Sequence, residues 1–332
     1  MPVTEAMRIV DEDDSGIDRA FRTDVLLGLS QRQKAIPARW FYDERGSELF
    51  EDITKLDEYY PTRAETEILK ANGPEFADAV GKGAAVVEFG SGSSAKTPLL
   101  LQAIAPAAYV PIDISGDFLR ASAEQLSAKF PGLPVCPVEA DFTKRVAMPD
   151  AIDGLPRLGF FPGSTIGNLV PRTAVDLLRE MRETLCDGRD RAAKLLIGMD
   201  RVKDTAVLQS AYDDAQGVTA AFNLNLLHRI NRELAGTIPV DYFAHRALWN
   251  DGIARIEMHL EAQRDMSFTV CDKRFDMARG ETIHTENSHK YTRRSANALL
   301  LAGGWTPTHH WRDAHDRFML ILADASEFRM AP

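Results

Sequence analysis

The sequence predicts an α/β protein: a largely parallel sheet with helices on both faces, closed by an antiparallel pair and interrupted by an α+β insertion. Three observations carry this. Short apolar runs at 86–89, 108–112, 135–139, 158–161 and 193–198 alternate with helical spacings, the order that builds a parallel sheet. The first run opens into a glycine turn, Gly90-Ser91-Gly92, and such turns at strand ends are where α/β folds bind nucleotide-like cofactors. After Asp200 the period changes to helices and alternating strands, as in Arg255-Ile256-Glu257-Met258-His259-Leu260. That pattern fits an antiparallel sheet with one wet face.

The bulk numbers narrow the function. The chain has 332 residues, 45% hydrophobic and 27% charged, with a net charge of −10. The length suits one large domain or two intimate ones. The acidic balance argues against a nucleic-acid surface or an anionic membrane partner. Cys136, Cys186 and Cys271 are scattered and odd in number, which fits buried thiols in a reducing cytoplasm and no zinc site. Residues 1–15 are acidic and polar and lack the regions of a signal peptide. No run reaches the roughly 18 apolar residues of a membrane helix.

In chain order, residues 1–15 read as a disordered tail, and 17–29 as a helix through Phe21, Val25, Leu26 and Leu29. Residues 36–47 are rich in aromatics and charges, and 48–56 read as a short helix. Thr62 is placed to cap a helix over 65–69. Ser93, Ser94 and Thr97 are candidate caps for the helix that follows the glycine turn. The strand at 108–112 ends in Asp113, 25 residues after Glu88, where such folds hydrogen-bond ribose hydroxyls. Ser115 and Asp117 lead the next helix. A third strand, 135–139, runs into Asp141-Phe142, an acid and a ring suited to an adenine amino group and its face. The fourth meets a small-residue loop at 162–171 that holds Asn168. Segments at 244–249, 254–260, 266–271 and 273–277 read as one antiparallel sheet, and 305–313 with 317–323 as the closing pair.

Glu88, two residues before Gly90, makes the turn similar to the first motif of class I S-adenosylmethionine methyltransferases. Six further blocks resemble one family: residues 37–47 (PARWFYDERGS), 58–65 (EYYPTRAE), 163–168 (GSTIGN), Tyr212-Asp213-Asp214, residues 231–234 (NREL) and Thr285-Glu286-x-Ser288-x-Lys290. In this order they look like the histidine Nα-methyltransferases of ergothioneine biosynthesis, over nearly the whole chain. The resemblance implies a class I, Rossmann-like sheet at 61–200 and 289–332. It implies an inserted α+β substrate-binding domain at 16–60 and 201–288, with the amino-acid pocket between the two. The cofactor would be S-adenosyl-L-methionine. The reaction would be trimethylation of the α-amine of L-histidine to hercynine, the first step of ergothioneine biosynthesis.

Residue by residue, the resemblance assigns Asn168 and Tyr212 to the substrate carboxylate and Glu286 and Ser288 to the imidazole. Tyr42 would lie near the amine as the catalytic tyrosine, and Tyr59 and Met258 would line the pocket. Gly90, Lys96, Asp113, Asp141 and Phe142 would bind the methyl donor. A monomer is expected, and the histidine spacing suits no metal site; the absence of a fused sulfoxide-synthase domain is a departure, which would place later steps elsewhere. Taken singly, Met258 on an alternating strand reads as core, Glu286 as a solvated acid and Asn168 as a turn residue. Tyr42 and Tyr59 read equally as core residues with satisfied hydroxyls. His309, His310 and His315 read as surface residues; His228, His245, His259, His284 and His289 read as structural. Actinobacterial members carry valine and cysteine where this chain has Asn287 and His289, which on a strand would face away from Glu286 and Ser288. The competing readings are an N-methyltransferase for another aromatic amino acid and a catalytically silent cofactor-binding protein.

Overall fold

The structure, a computed structural model, describes residues 18–92, 96–114, 116–186 and 193–326. The tail at 1–15, Ser93, Ser94 and Ser115 lie outside the described residues, and of Asp117 only the backbone is described. The chain divides into two units. One holds Pro61–Val202 and the chain from Lys290 onward; the other holds the chain up to Tyr60 and Lys203–His289.

The first unit is built on a seven-stranded sheet. Its strand order is Trp305–Arg312, Phe318–Ala325, Ala193–Asp200, Arg157–Phe161, Ala85–Phe89, Ala108–Asp113, Val138–Glu139. The last five are parallel, and Phe318–Ala325 runs antiparallel to both of its neighbours. Successive side chains leave opposite faces of a strand, so Val86 and Val87 enter two different cores. Val87 packs with Ile112, Leu177, Ile197 and Leu300. Val86 packs with Ile68, Leu100, Leu196 and Leu320. Each fully buried side chain of this size contributes about 1.5–3 kcal/mol, which explains why most positions of the central strands are apolar. The chain enters and leaves this sheet beside a buried ion pair: Lys290 Nζ lies 2.8 Å from Asp200 Oδ2, with both side chains shielded from solvent.

Four local expectations are corrected here. The helix expected at 65–69 is Pro61–Ala71. Pro61 opens it because its fixed φ suits the first turn and its missing N–H is not needed there. Thr62 therefore lies inside the helix, where its carbonyl accepts from the Thr66 hydroxyl at 2.7 Å. Thr97 likewise caps nothing; it sits within Thr97–Ile104 and donates its hydroxyl to Glu88 at 2.7 Å. The third strand shrinks to Val138–Glu139, with a single bridge from Val135 to Tyr109. Pro134 and Pro137 bracket that bridge, and neither has an N–H for a ladder. The short helix expected at 48–56 starts earlier, as Glu44–Ile53, because Asp43 caps it by accepting from Gly46 N–H at 2.7 Å.

The second unit places the 16-residue helix Val218–Glu233 against a four-stranded sheet. The strand order is Lys34–Ala35, Thr282–His289, Arg255–Ala262, Phe243–Asn250. The alternating segments thus form two sheets, since Met266–Val270 and Lys273–Met277 pair only with each other. Cys271 and Asp272, both at positive φ, make the tight turn that pairs this hairpin with itself. Lys34–Ala35, unforeseen, adds a parallel edge. The core joins Phe21, Val25, Trp40 and Phe41 to Phe222, Leu226, Met258 and Ile283.

Two of the family-like blocks serve this packing. Asp43 takes a hydrogen bond from Asn225 Nδ2 at 2.7 Å and one from Arg232 at 2.6 Å. Desolvation opposes its charge, but Arg232, Gly46 N–H and Asn225 outweigh it and hold the Asp43 pKa below the usual range. Asn231 clamps Ile238 by both its N–H and its carbonyl at 2.8 Å. Gly46 tests the first block: a Cβ there would collide with the Phe41 carbonyl oxygen. Alanine in a helix normally gains about 1 kcal/mol over glycine. Gly46→Ala is expected instead to destabilise by roughly 2 kcal/mol through overpacking on rigid backbone, read as a lower midpoint in denaturant unfolding.

Candidate active site

Cofactor-type residues gather at the carboxyl ends of adjacent parallel strands. Gly90 follows Ala85–Phe89, Asp113 ends Ala108–Asp113, and Asp141 and Phe142 follow Val138–Glu139. Gly90 and Gly92 sit at φ 69° and 47°, in the left-handed region that favours glycine. At Gly90 space also decides, because a Cβ would stand 3.1 Å from the Phe142 ring. That ring leans edge-on toward Phe89 and Phe161. Asp113 Oδ2 accepts from Gly92 N–H at 3.0 Å, which ties the second strand end to the turn. Asp141 is opposed by desolvation, but the Thr143 hydroxyl and N–H, with Lys144, pull its pKa below the usual range. An open glycine turn, a carboxylate at the second strand end and a ring at the third are the donor set a nucleoside cofactor requires.

Beneath the turn lie two buried acids. Glu88, 2% exposed, accepts from the Tyr109 hydroxyl at 2.6 Å and from the Thr97 hydroxyl at 2.7 Å. Burial pushes its pKa up to about 7, against the pull of those two donors and Lys96. Glu65, fully buried, pairs with Lys96 and accepts from Gly163 N–H at 3.0 Å. It therefore joins the helix start after the glycine turn to the loop holding Asn168. That residue closes the 3-10 turn Thr165–Asn168 and is half-buried.

The second unit brings a different group together. The Tyr212 and Ser288 hydroxyls are 2.7 Å apart. Tyr59 stands edge-on to Tyr212, with ring centroids 6.3 Å apart. Tyr42 meets Phe50 at 5.6 Å and Phe222 at 5.8 Å, also edge-on. The Tyr42 pKa lies well above the ordinary phenol value, first through desolvation, then through the charge of Glu286 and the neighbouring Tyr59 and Tyr212. Yet Tyr42 is 45% exposed. Met258, cross-strand partner of Glu286, is buried in the core. Asn287 and His289 pair with Glu257 and Arg255, on the face opposite Glu286 and Ser288.

Sequence reasoning missed the support behind this group. Asn223, His245 and Thr285 form a buried hydrogen-bonded chain next to Tyr212. The one available signal was an amide, Asn223, set among Phe222, Leu226, Leu227 and Ile230 on the same helical stretch. Asp214 accepts from the N–H groups of Val218 and Thr219, covering the open start of that helix. Among the described residues Glu257, His259 and His284 also converge, with ligand-type atoms within 4.8 Å. The Arg255 guanidinium already holds Glu257 at 2.7 Å, and the two imidazoles stack at 21°. In-plane lone pairs of stacked rings do not aim at one centre, so the group reads as a hydrogen-bonded cluster.

The sheet order, the single reversed strand and the glycine turn define a class I S-adenosylmethionine-dependent methyltransferase. The comparisons specify the family. Residues 21–325 match the model of "Histidine-specific methyltransferase, SAM-dependent", and the chain belongs to this family. It is 41% identical over 310 residues to the histidine N-alpha-methyltransferase of Mycolicibacterium smegmatis, covering 92% of this chain and 94% of that protein. The Mycobacterium tuberculosis histidine N-alpha-methyltransferase matches with the same identity and coverage, 41%, 92% and 94%. A more distant relative is the 4-dimethylallyltryptophan N-methyltransferase easF of Aspergillus fumigatus, 24% identical over 91% of this chain and 93% of that protein.

Two outcomes are expected from the cofactor half. Gly90→Ala strains the backbone and closes on Phe142, so calorimetry should show S-adenosylmethionine binding weakened ~10-fold or more. Glu88, whose folded pKa is raised to about 7, contributes stability present at acid pH and lost as pH rises from the usual carboxylate range through neutrality. Glu88→Gln should therefore flatten the fall in melting temperature between about pH 4.5 and 8; an unchanged slope would exclude Glu88 as its source.

Proposed function

We propose that this protein transfers methyl groups from S-adenosyl-L-methionine to the α-amine of L-histidine, three times, yielding hercynine as the first step of ergothioneine biosynthesis. The observation that carries the reading is the group around Ser288. Its hydroxyl is bonded to Tyr212, with Glu286 on the same strand face and close enough to act on the Tyr42 phenol. An imidazole has one N–H and one lone pair; Glu286 suits the first and Ser288 the second. A carboxylate next to an indole or benzene face would be poorly satisfied, which disfavours an apolar aromatic substrate.

The bound cofactor supplies a sulfonium methyl and a neutral leaving group. The residues of this chain supply position. Attack needs a neutral amine in line with the carbon–sulfur bond, and orientation supplies most of the rate. An α-amine titrates near about 8, so a useful neutral fraction exists at physiological pH. Tyr42 keeps its proton there, since its pKa is raised, so it orients the amine and does not act as a base. The tyrosine rings offer π-faces to the quaternary ammonium product. Asn168 and Tyr212 are proposed for the carboxylate, Tyr59 and Met258 for the pocket wall, and Gly90, Lys96, Asp113, Asp141 and Phe142 for the cofactor. We further propose a cytoplasmic monomer; no helix among the described residues is long and apolar enough to cross a membrane.

The deciding experiment gives purified protein a labelled methyl donor and each amino acid in turn. Transfer to histidine with release of the trimethylated product is expected; transfer to tryptophan or tyrosine alone would overturn the reading. Glu286→Ala should raise the histidine KM ~10-fold or more with cofactor affinity unchanged. Tyr42→Phe should leave the rise of rate with pH tracking the amine; loss of that rise would assign Tyr42 a proton-transfer role.

A further inference from the structure

Glu286 and Ser288 face the tyrosines only because the strand Thr282–His289 slips by one residue. His284 pairs with His259, and the next paired residue, Glu286, meets Met258, which leaves Thr285 without a partner. In an unbroken strand 284, 286 and 288 would share one face. Here His284 stacks on His259 while Ser288 reaches the Tyr212 hydroxyl. The bulge reverses the parity of everything after it.

One amide holds the extra residue. The Thr285 hydroxyl lies 2.8 Å from Asn223 Oδ1 and 3.0 Å from the Met258 carbonyl. Asn223 Nδ2 donates to the His259 carbonyl at 3.2 Å and contacts His245 Nδ1 at 2.9 Å. His245 Nε2 meets the Tyr212 carbonyl at 2.7 Å. A carbonyl only accepts, so His245 carries its proton on Nε2, and its Nδ1 accepts from Asn223. Every polar atom of Asn223 is thereby used, which fixes its orientation, and the residue is 0% exposed. A single side chain thus ties the Tyr212 main chain, the backbone beside Met258 and the bulge.

We propose that Asn223, acting through Thr285 and His245, is the positioning residue for imidazole recognition: it locks the bulge that turns Glu286 and Ser288 toward the substrate. The proposal rests on the functional reading above for the identity of the substrate, and on the register alone for the mechanism. Burial holds the His245 pKa below its usual value, so the chain of bonds keeps one protonation state through the neutral range.

The test uses Thr285→Val, which keeps the shape and removes the donor, with Thr285→Ser as rescue. Three quantities are read on the full chain: histidine KM against kcat, S-adenosylmethionine affinity by calorimetry, and hydrogen exchange of residues 282–289. Thr285→Val should raise histidine KM by ~10-fold, the effect of an orphaned buried acceptor, with cofactor affinity within about twofold. Exchange over 282–289 should quicken, and serine should restore both. Wild-type KM and exchange in a folded Thr285→Val protein would overturn the proposal, and so would a parallel loss of cofactor affinity. If valine prevents folding, Asn223→Ser withdraws the acceptor without adding bulk and must show the same split. Should the wild-type protein not methylate histidine, the substrate reading fails; the exchange measurement, which needs no substrate, still decides whether Thr285 and Asn223 hold the strand.

Discussion

One unpaired residue in one strand sets the face on which Glu286 and Ser288 lie. A sheet alternates strictly, so the face a side chain occupies is a property of register and not of the residue. Glu286 and Ser288 lie on the face of Met258 and Ile256, while His284, two residues before Glu286, lies on the face of His259. Only a bulge reconciles these placements. A bulge carries an extra residue whose place must be secured, and Thr285 secures it with a side-chain hydroxyl inside the fold. The cost of burying Asn223 and His245 is offset because each finds a partner for its polar atoms; a half-satisfied chain would be worse than an apolar core.

The other unit answers a comparable problem with charge. The carboxyl edge of its parallel sheet stands over two buried carboxylates. Glu88 is met by two hydroxyls, one from Tyr109 on the neighbouring strand and one from Thr97 at the following helix start. Glu65 is met by Lys96 and the Gly163 N–H. An unpaired acid at these depths would neutralise or destabilise the unit. Paired, each fastens a loop: Glu88 the glycine turn, Glu65 the loop that ends at Asn168. Gly198 has no side chain in part because Glu65 fills the space where a Cβ would go.

Much of the first unit was legible because local signals agreed. Apolar runs such as Val86-Val87 need burial on both faces, and the Gly90 and Gly92 turn needs positive φ that few other residues adopt. These are properties of residues and their immediate neighbours. Strand ends, and with them Gly90, Asp113, Asp141 and Phe142, could therefore be placed. Where expectation departed from structure, a long-range partner had taken over. Thr97 had the chemistry of a cap and was claimed by Glu88. Thr62 had it too, but Pro61 had already started the helix. The alternating segments at 266–277 read as part of one sheet, yet the hairpin closes on itself.

The sequence by itself determined the α/β fold class, the glycine turn at the first strand end and, through six family-like blocks, the family. It could not show that Asn223 reaches Thr285 across 62 residues, or that Glu65 reaches Gly163 across 98. Nor could it show that the strand bearing Glu286 carries a bulge, since alternation alone would have set Glu286 beside His284. Those facts belong to register and to hydrogen bonds between distant segments. A residue's type states which bond it needs, and only the packed chain decides which partner is close enough to make it.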